Sequence, residues 1–188
     1  MNRPFSYQRR ELLAGLAAGV LLPQAHALAA SAGDVPGARA PRLQLRDHHA
    51  RPLWLDDALR GHVTAVQLIF TGCSATCPVQ GAQFAALARS LPAWARLLSL
   101  SIDALGDDPA RLNAWLARFG APAAWLAAVP SVMQVSSLVS FLSGTRRDGT
   151  SHDDRVFLFD RQARLAWRSE PAPSNREVAS AITHALAL

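Results

Sequence analysis

The sequence predicts an α/β fold in which a central mixed sheet is flanked by helices, with a β-hairpin added at its amino-terminal side. Three observations support this prediction: an apolar strand pattern at 66–70, strands that alternate with helical patterns as far as residue 120, and a second hairpin pattern near the carboxyl end. Alternating strands and helices are typical of parallel sheets, whereas a hairpin adds antiparallel strands. With 188 residues, half of them hydrophobic, the chain is long enough for one domain with a buried core.

Residues 1–27 have the pattern of a cleaved signal peptide. A basic start that contains Arg9-Arg10 precedes an apolar run at 12–22, and the small-residue site Ala25-His26-Ala27 follows. The apolar run is too short to span a bilayer comfortably. The arginine pair fits either a twin-arginine signal or the basic region of a general secretion signal. Both routes lead to the periplasm, an oxidising compartment.

The domain is expected at 41–188 and begins with the added hairpin. Residues 28–40 are small and include Pro and Gly, so we expect them to form a flexible lead-in. The pattern then predicts a strand at 43–45 that pairs with a returning strand at 52–55. Asp56-Asp57 opens a brief helical turn after that hairpin.

The remaining predicted elements follow from apolar periodicity and helix caps. They are strands at 66–70, 97–103, 155–160 and 165–167, and helices at 80–90, 109–119, 131–142 and 175–186. Asp107-Asp108 before Pro109 is typical of a helix start, and Ser174 with Glu177 has the pattern of a capping box. This order resembles a thioredoxin-like core with an added amino-terminal hairpin.

The two cysteines, Cys73 and Cys77, lie in the turn between the 66–70 strand and the next helix. If that helix begins within the motif, cysteines at i and i+4 lie on one face. A helix start also supplies unpaired N–H groups and a positive dipole end, which lower thiol pKa values. Two such thiols can close a disulfide or hold a soft metal ion. A purely structural disulfide is the simpler alternative, but it would close a loop of only a few residues and so gain little entropy.

The charge of the chain argues against a nucleic-acid partner. The formal net charge is +5 and comes from arginine alone, since the sequence has no lysine. Part of that charge lies within 1–27, and the other arginines are scattered along the chain. A basic stripe of the kind that binds nucleic acid is therefore not supported.

Four segments of the sequence are distinctive together: the lead-in at 47–61, FTGCSATCP at 70–78, SIDALGDDPARLNAWLARFGAP at 101–122 and SHDDRVFLFD at 151–160. They resemble the Sco/SenC family of copper proteins, which assist the assembly of cytochrome c oxidase. The resemblance covers 41–188 and implies a thioredoxin-like fold. Because two cysteines and a late histidine bind one copper ion in that family, it implies that Cys73, Cys77 and His152 are the metal ligands.

The implied ligand set suits Cu(I), which prefers soft thiolates and accepts imidazole, while Cu(II) stays open as a second state. Zn(II) would usually recruit a fourth protein ligand. The sequence departs from the family at Ser74-Ala75-Thr76, where many members have an acid between their cysteines. Of the other histidines, we expect the pair His48-His49 to be solvated, with capture of copper at the surface as the alternative.

The resemblance implies a periplasmic metallochaperone, not an enzyme, that passes copper to a partner metalloprotein such as a cytochrome c oxidase subunit. In an oxidising compartment two thiols need a reductant or a metal to stay reduced, so we expect a thiol reductant protein as a second partner. Contact with a membrane is expected only through the client or an uncleaved amino terminus. The alternative is a thiol–disulfide reductase in which Cys73 attacks a client disulfide and Cys77 resolves it. A thiol peroxidase is supported only by the shared fold.

Overall fold

A seven-stranded mixed sheet forms the centre of the computed structural model, which describes residues 37–143 and 153–186. Its strands are β1 (Gln44–Asp47), β2 (Pro52–Trp54), β3 (Val63–Ile69), β4 (Ala95–Ser101), β5 (Trp125–Pro130), β6 (Val156–Phe159) and β7 (Leu165–Arg168). The order across the sheet is β2-β1-β5-β4-β3-β6-β7. The expected signal peptide at 1–27 lies outside the described residues.

The direction of the strands defines the edge where the cysteines lie. β3, β4 and β5 are parallel, so their carboxyl ends share one edge of the sheet. β1 pairs antiparallel with β5, and β6 pairs antiparallel with β3. The hairpins β1–β2 and β6–β7 complete the sheet at its two sides. The predicted mixed sheet with an added amino-terminal hairpin is confirmed.

Helices cover both faces of the sheet. The described helices are α1 (Leu55–Leu59), α2 (Thr76–Ala88), α3 (Pro109–Arg118), α4 (Val132–Ser143) and α5 (Asn175–Ala185). Phe84 of α2, Trp115 of α3 and Ile182 of α5 pack on one face. Leu59 of α1 and Leu138 of α4 pack on the other. Within the described part of the chain, no helix has the length and apolar character needed to cross a membrane.

Two of these helices begin at the caps that the sequence predicts. The carboxylate of Asp108 accepts a hydrogen bond from the amide of Arg111 at 2.8 Å. The hydroxyl of Ser174 accepts one from the amide of Glu177 at 3.2 Å. Gly120, after the end of α3, has φ +61°, a left-handed conformation that glycine adopts without the strain of a Cβ atom.

β5 differs from the sequence analysis, which assigns no strand to 125–130. The segment is rich in alanine, which favours helices over strands, so local propensity gives little signal there. Its strand conformation comes instead from its neighbours, because it pairs with β1 on one side and β4 on the other. Trp125 fixes its position: the ring is 1% exposed, and its indole N–H donates to the Ser99 hydroxyl at 2.9 Å.

Candidate metal centre

The turn between β3 and α2 places both cysteines at the carboxyl edge of the parallel strands. The carbonyl of Ile69, the last residue of β3, accepts the amide of Ile102 at 2.9 Å and so joins the turn to the loop after β4. The amide of Cys73 donates to the carbonyl of Phe70 at 3.1 Å. Cys77 is the second residue of α2. The helix therefore begins between the two cysteines.

The sulfur of Cys73 acts in place of a side-chain cap at the start of α2. Ala75 occupies the cap position and provides no side-chain acceptor. The amide of Cys77 instead donates to Sγ of Cys73 at 3.4 Å, and the hydroxyl of Thr76 lies 3.9 Å from the same sulfur. Unpaired N–H groups at a helix start favour an acceptor with negative charge. The fold thus brings the two cysteines together, both as free thiols.

The two thiols have opposite pKa shifts. Burial alone would raise the pKa of Cys73, but hydrogen bonds from Cys77, the amide of Ala75 and the hydroxyl of Thr76 outweigh it and lower the pKa to about 7. Burial raises the pKa of Cys77 to about 12, and its hydrogen bond to the Cys73 sulfur adds to the increase. Near neutral pH, Cys73 is therefore partly thiolate while Cys77 keeps its proton.

Asp107 holds the cysteine turn in place from the loop after β4. Its carboxylate is buried, at 6% exposed, and accepts the amide of Thr71 at 3.0 Å and the hydroxyl of Ser101 at 2.7 Å. It also accepts the hydroxyl of Thr71. Because Thr71 lies two residues before Cys73, these bonds fix the start of the cysteine turn. The sequence analysis missed this role, since it placed Asp107 only at a helix start.

Asp153 lies beside the cysteine helix. The residue lines the same narrow cleft as Cys77 and Gln80. The side-chain amide of Gln80, one turn along α2 from Cys77, donates to the Asp153 carbonyl at 3.5 Å. The chain that leads into β6 is therefore in contact with the helix that carries the second cysteine.

The Asp153 side chain is held by residues on both sides of the segment 144–152. Ser143, the last residue of α4, donates its hydroxyl at 2.9 Å. Arg155 adds two bonds from its guanidinium, at 2.8 and 2.6 Å. Burial opposes ionisation of Asp153, but the hydrogen bonds and charge of Arg155 are stronger and hold its pKa below the ordinary value.

The described residues contain no cluster of three or more His, Cys, Asp or Glu side chains that could hold a metal ion. Cys73 and Cys77 supply two soft donors. His152, the third ligand that the resemblance implies, lies outside the described residues. The pair His48-His49, with ring centroids 4.0 Å apart, lies by the other end of β5, where the amide of His48 bonds the Ala127 carbonyl.

The fold and this turn define a class of protein, a thioredoxin-like domain with a dithiol at the start of a helix. The family model described as SCO1/SenC matches residues 39–187. The chain belongs to the SCO1/SenC family, and the predicted resemblance is confirmed. No curated protein sequence gives a significant match.

Solved structures share the fold at low sequence identity. ScoI of Bradyrhizobium japonicum with copper bound is 18% identical, with a TM-score of 0.65, over 79% of this chain and all of that one. BsSco, described as a member of the Sco family of cytochrome c oxidase assembly proteins, is 19% identical, with a TM-score of 0.67, over 81% and 96% of the two chains. A SCO1/SenC family lipoprotein of Bacillus anthracis is 18% identical, with a TM-score of 0.68, over 80% and 95%. These matches confirm the predicted thioredoxin-like fold.

Proposed function

We propose that this chain is a copper metallochaperone, which holds copper through Cys73, Cys77 and His152 and delivers it to a partner metalloprotein. The observation that carries the proposal is the pair of free thiols at the start of α2. Membership of a family whose structures include one with copper bound makes copper the ion of choice. Thiolates are soft ligands and favour Cu(I) over the harder divalent cations.

The unequal thiols suit a carrier that must also release its cargo. Cys73, with a pKa of about 7, is about half ionised at neutral pH and binds a metal ion at little cost in proton release. Cys77, with a pKa of about 12, must lose its proton to bind and can recover it when the ion leaves. Protons therefore compete with copper at Cys77, and copper affinity should increase with pH.

The contacts of Asp153 support His152 as the third ligand. Asp153 lines the cleft beside Cys77, and its carbonyl accepts the Gln80 side chain. His152 directly precedes Asp153 in the sequence, and a trans peptide separates consecutive Cα atoms by only about 3.8 Å. This adjacency to the cleft beside Cys77 supports an imidazole ligand from position 152. An imidazole as third ligand is compatible with Cu(I) and extends the site to Cu(II).

The proposed setting is the periplasm, after removal of residues 1–27. In an oxidising compartment the two thiols form a disulfide unless a thiol reductant protein restores them, so such a protein is a second partner. One similar structure belongs to a lipoprotein. Attachment to a membrane through an uncleaved amino terminus is therefore the alternative to full release. The description of BsSco supports a copper-containing subunit of cytochrome c oxidase as the receiving protein.

A second candidate function, thiol–disulfide reductase, is favoured by the same pKa difference. Cys73 is the better attacking group because more of it is thiolate at neutral pH. Cys77 remains a thiol until a mixed disulfide forms and would then resolve it. The reductase needs the two cysteines, whereas the chaperone also needs His152.

Replacement of His152 by Ala separates the two functions. A chaperone with three ligands should bind Cu(I) more weakly in this variant and should lose most Cu(II) binding, while reduction of a model disulfide should change little. The measurements are a competition titration with a Cu(I) chelator and a thiol-exchange assay, both on reduced protein without oxygen. His184→Ala, at an exposed histidine of α5, is the matched control and should behave as wild type in both. Equal copper affinities with impaired thiol exchange in His152→Ala would reject the ligand role and favour the reductase.

A further inference from the structure

Exposed apolar side chains are concentrated at the sheet edge that carries the cysteines. Among the described residues, the large hydrophobic side chains that are exposed are Trp54, Val79, Leu105, Val132, Met133 and Leu186. All of them except Leu186, which follows the far end of α5, belong to that edge. We call the set Trp54, Val79, Leu105, Val132 and Met133 the thiol edge.

Two members of the thiol edge are joined directly to the cysteine turn. Val79, 71% exposed, lies two residues after Cys77 in the first turns of α2. Leu105, 86% exposed, lies in the loop after β4, two residues before Asp107. Asp107 holds Thr71 of the cysteine turn through its carboxylate. The two loops are therefore one connected surface.

The other members extend this surface across the sheet. Val132 and Met133 begin α4 where β5 ends. The side-chain oxygen of the next residue, Gln134, accepts the amide of Gln44 at 3.1 Å, and Gln44 pairs with Trp54 in the β1–β2 hairpin. Four strand spacings of about 4.8 Å separate β2 from β3, so the thiol edge is about 19 Å long.

Three acidic side chains that form no ion pair among the described residues lie beside the thiol edge, although the whole chain has a net positive charge. Asp103 and Asp108 flank Leu105 in the loop after β4, and Asp154 follows the residue that contacts α2. None of these three carboxylates has an ion-pair partner among the described residues. Arg42, which stacks on the ring of Trp54, is already paired with Asp56 and Asp57. An apolar surface with an acidic margin favours a partner with an apolar centre and a basic margin.

We propose that the thiol edge is the docking surface for the copper-receiving protein. The inference rests on the proposed function and identifies how the receiver is recognised: by an apolar surface with a basic rim, around its own copper ligands. Copper that passes directly from one ligand set to another requires the two sites to be within bonding distance. The side chains around Cys73 and Cys77 must then contact the receiver, which explains why apolar groups remain exposed there.

Replacement of Leu105 by Asp tests this docking surface. The probe is the metal-free soluble copper domain of a cytochrome c oxidase subunit, and the measurement is the rate of copper transfer to it from the loaded chain. A charge at an apolar contact should slow transfer by about tenfold or more, the usual effect of losing an interface anchor. Copper affinity and the unfolding midpoint should stay at the wild-type values, because Leu105 is exposed and is not a ligand. Met133→Asp, at an 87% exposed position, should repeat the effect.

Leu186→Asp is the matched control, because it adds the same charge at an exposed leucine away from the thiol edge. Its transfer rate should equal that of wild type. The acidic margin further predicts that wild-type transfer becomes slower as salt is added. A rate that increases with salt would reject the basic rim of the receiver.

The outcomes separate this inference from the proposed function. Normal transfer by Leu105→Asp and Met133→Asp, with normal transfer by wild type, would reject the docking surface alone. No transfer by loaded wild type would reject delivery to this receiver and the docking surface with it. Self-association of wild type that Leu105→Asp abolishes would assign the thiol edge to a second copy of the chain, which also rejects the inference.

Discussion

Replacement of Asp107 by Asn should destabilise the protein far more than the same change at the adjacent Asp108. The Asp107 carboxylate accepts three hydrogen bonds, two from Thr71 and one from Ser101, and is buried. The oxygen of Asn can keep the two bonds that one carboxylate oxygen accepts from the Thr71 amide and the Ser101 hydroxyl, and its NH₂ group then faces the Thr71 hydroxyl. One hydrogen bond to the carboxylate is therefore lost or reversed, and the other two lose the charge of their acceptor, so the loss should be about 1.5–3 kcal/mol of unfolding free energy. Asp108 caps α3 through the amide of Arg111, a role that Asn fills equally well, so Asp108→Asn should cost less than about 0.5 kcal/mol.

Urea unfolding of the reduced, metal-free protein measures both values, provided that the m-values of the variants agree. Asp107→Asn should also release the turn that carries Cys73, so the alkylation rate of this thiol at neutral pH should depart from wild type. Losses below about 0.5 kcal/mol in both variants would show that the Asp107 carboxylate does not hold the turn.

Two further predictions follow from single positions near the site. Gly81→Ala should lower the unfolding free energy by about 1 kcal/mol, because an added Cβ atom would overlap the ring of Phe119 and the overpacking outweighs the gain in helix propensity. Gly72→Ala is the control, because a Cβ atom added there would lie 4.0 Å from its nearest neighbour, the ring of Phe70; it should change the unfolding free energy by less than about 0.5 kcal/mol. Equal effects of the two changes would contradict the packing argument. The rate of iodoacetamide labelling at Cys73 should increase as the pH rises through about 7, since the thiolate is the reactive form, while Cys77 stays largely unlabelled. Mass spectrometry measures the labelling of each cysteine. Equal labelling of both would contradict the pKa assignment.

Most of the fold could be predicted because its elements have strong local patterns. β3 is buried on both faces and is mostly apolar, with Thr64 and Gln67 as its polar residues. α3 has a clear cap and a repeating apolar face. β5 could not be predicted, because alanine has no preference for strands and the pairing with β1 and β4 is not local. The hydrogen bond that fixes Trp125 could not be predicted either, because its acceptor, Ser99, lies in another strand.

The sequence predicted the chemistry of the candidate site but not the residues that hold the site in place. Cys73 and Cys77 stand out as the only cysteines at a strand-to-helix turn. Their pKa difference could not be read from the sequence, because it depends on which thiol is buried and which accepts the helix amide. Asp107 was missed for a related reason: its partner Thr71 is 36 residues away, and capping rules consider only near neighbours. The ligand role of His152 stays a prediction.

Whether Cys73 and Cys77 together hold copper is the central claim, and a stoichiometric Cu(I) titration tests it most directly. The reduced chain is titrated without oxygen against a Cu(I) chelator, as wild type and as Cys73→Ser and Cys77→Ser. We predict that wild type withdraws one Cu(I) per chain from the chelator and that each serine variant loses this binding, because a hydroxyl is a poor ligand for a soft ion. Wild type that withdraws no copper, or serine variants that withdraw as much as wild type, would contradict the account.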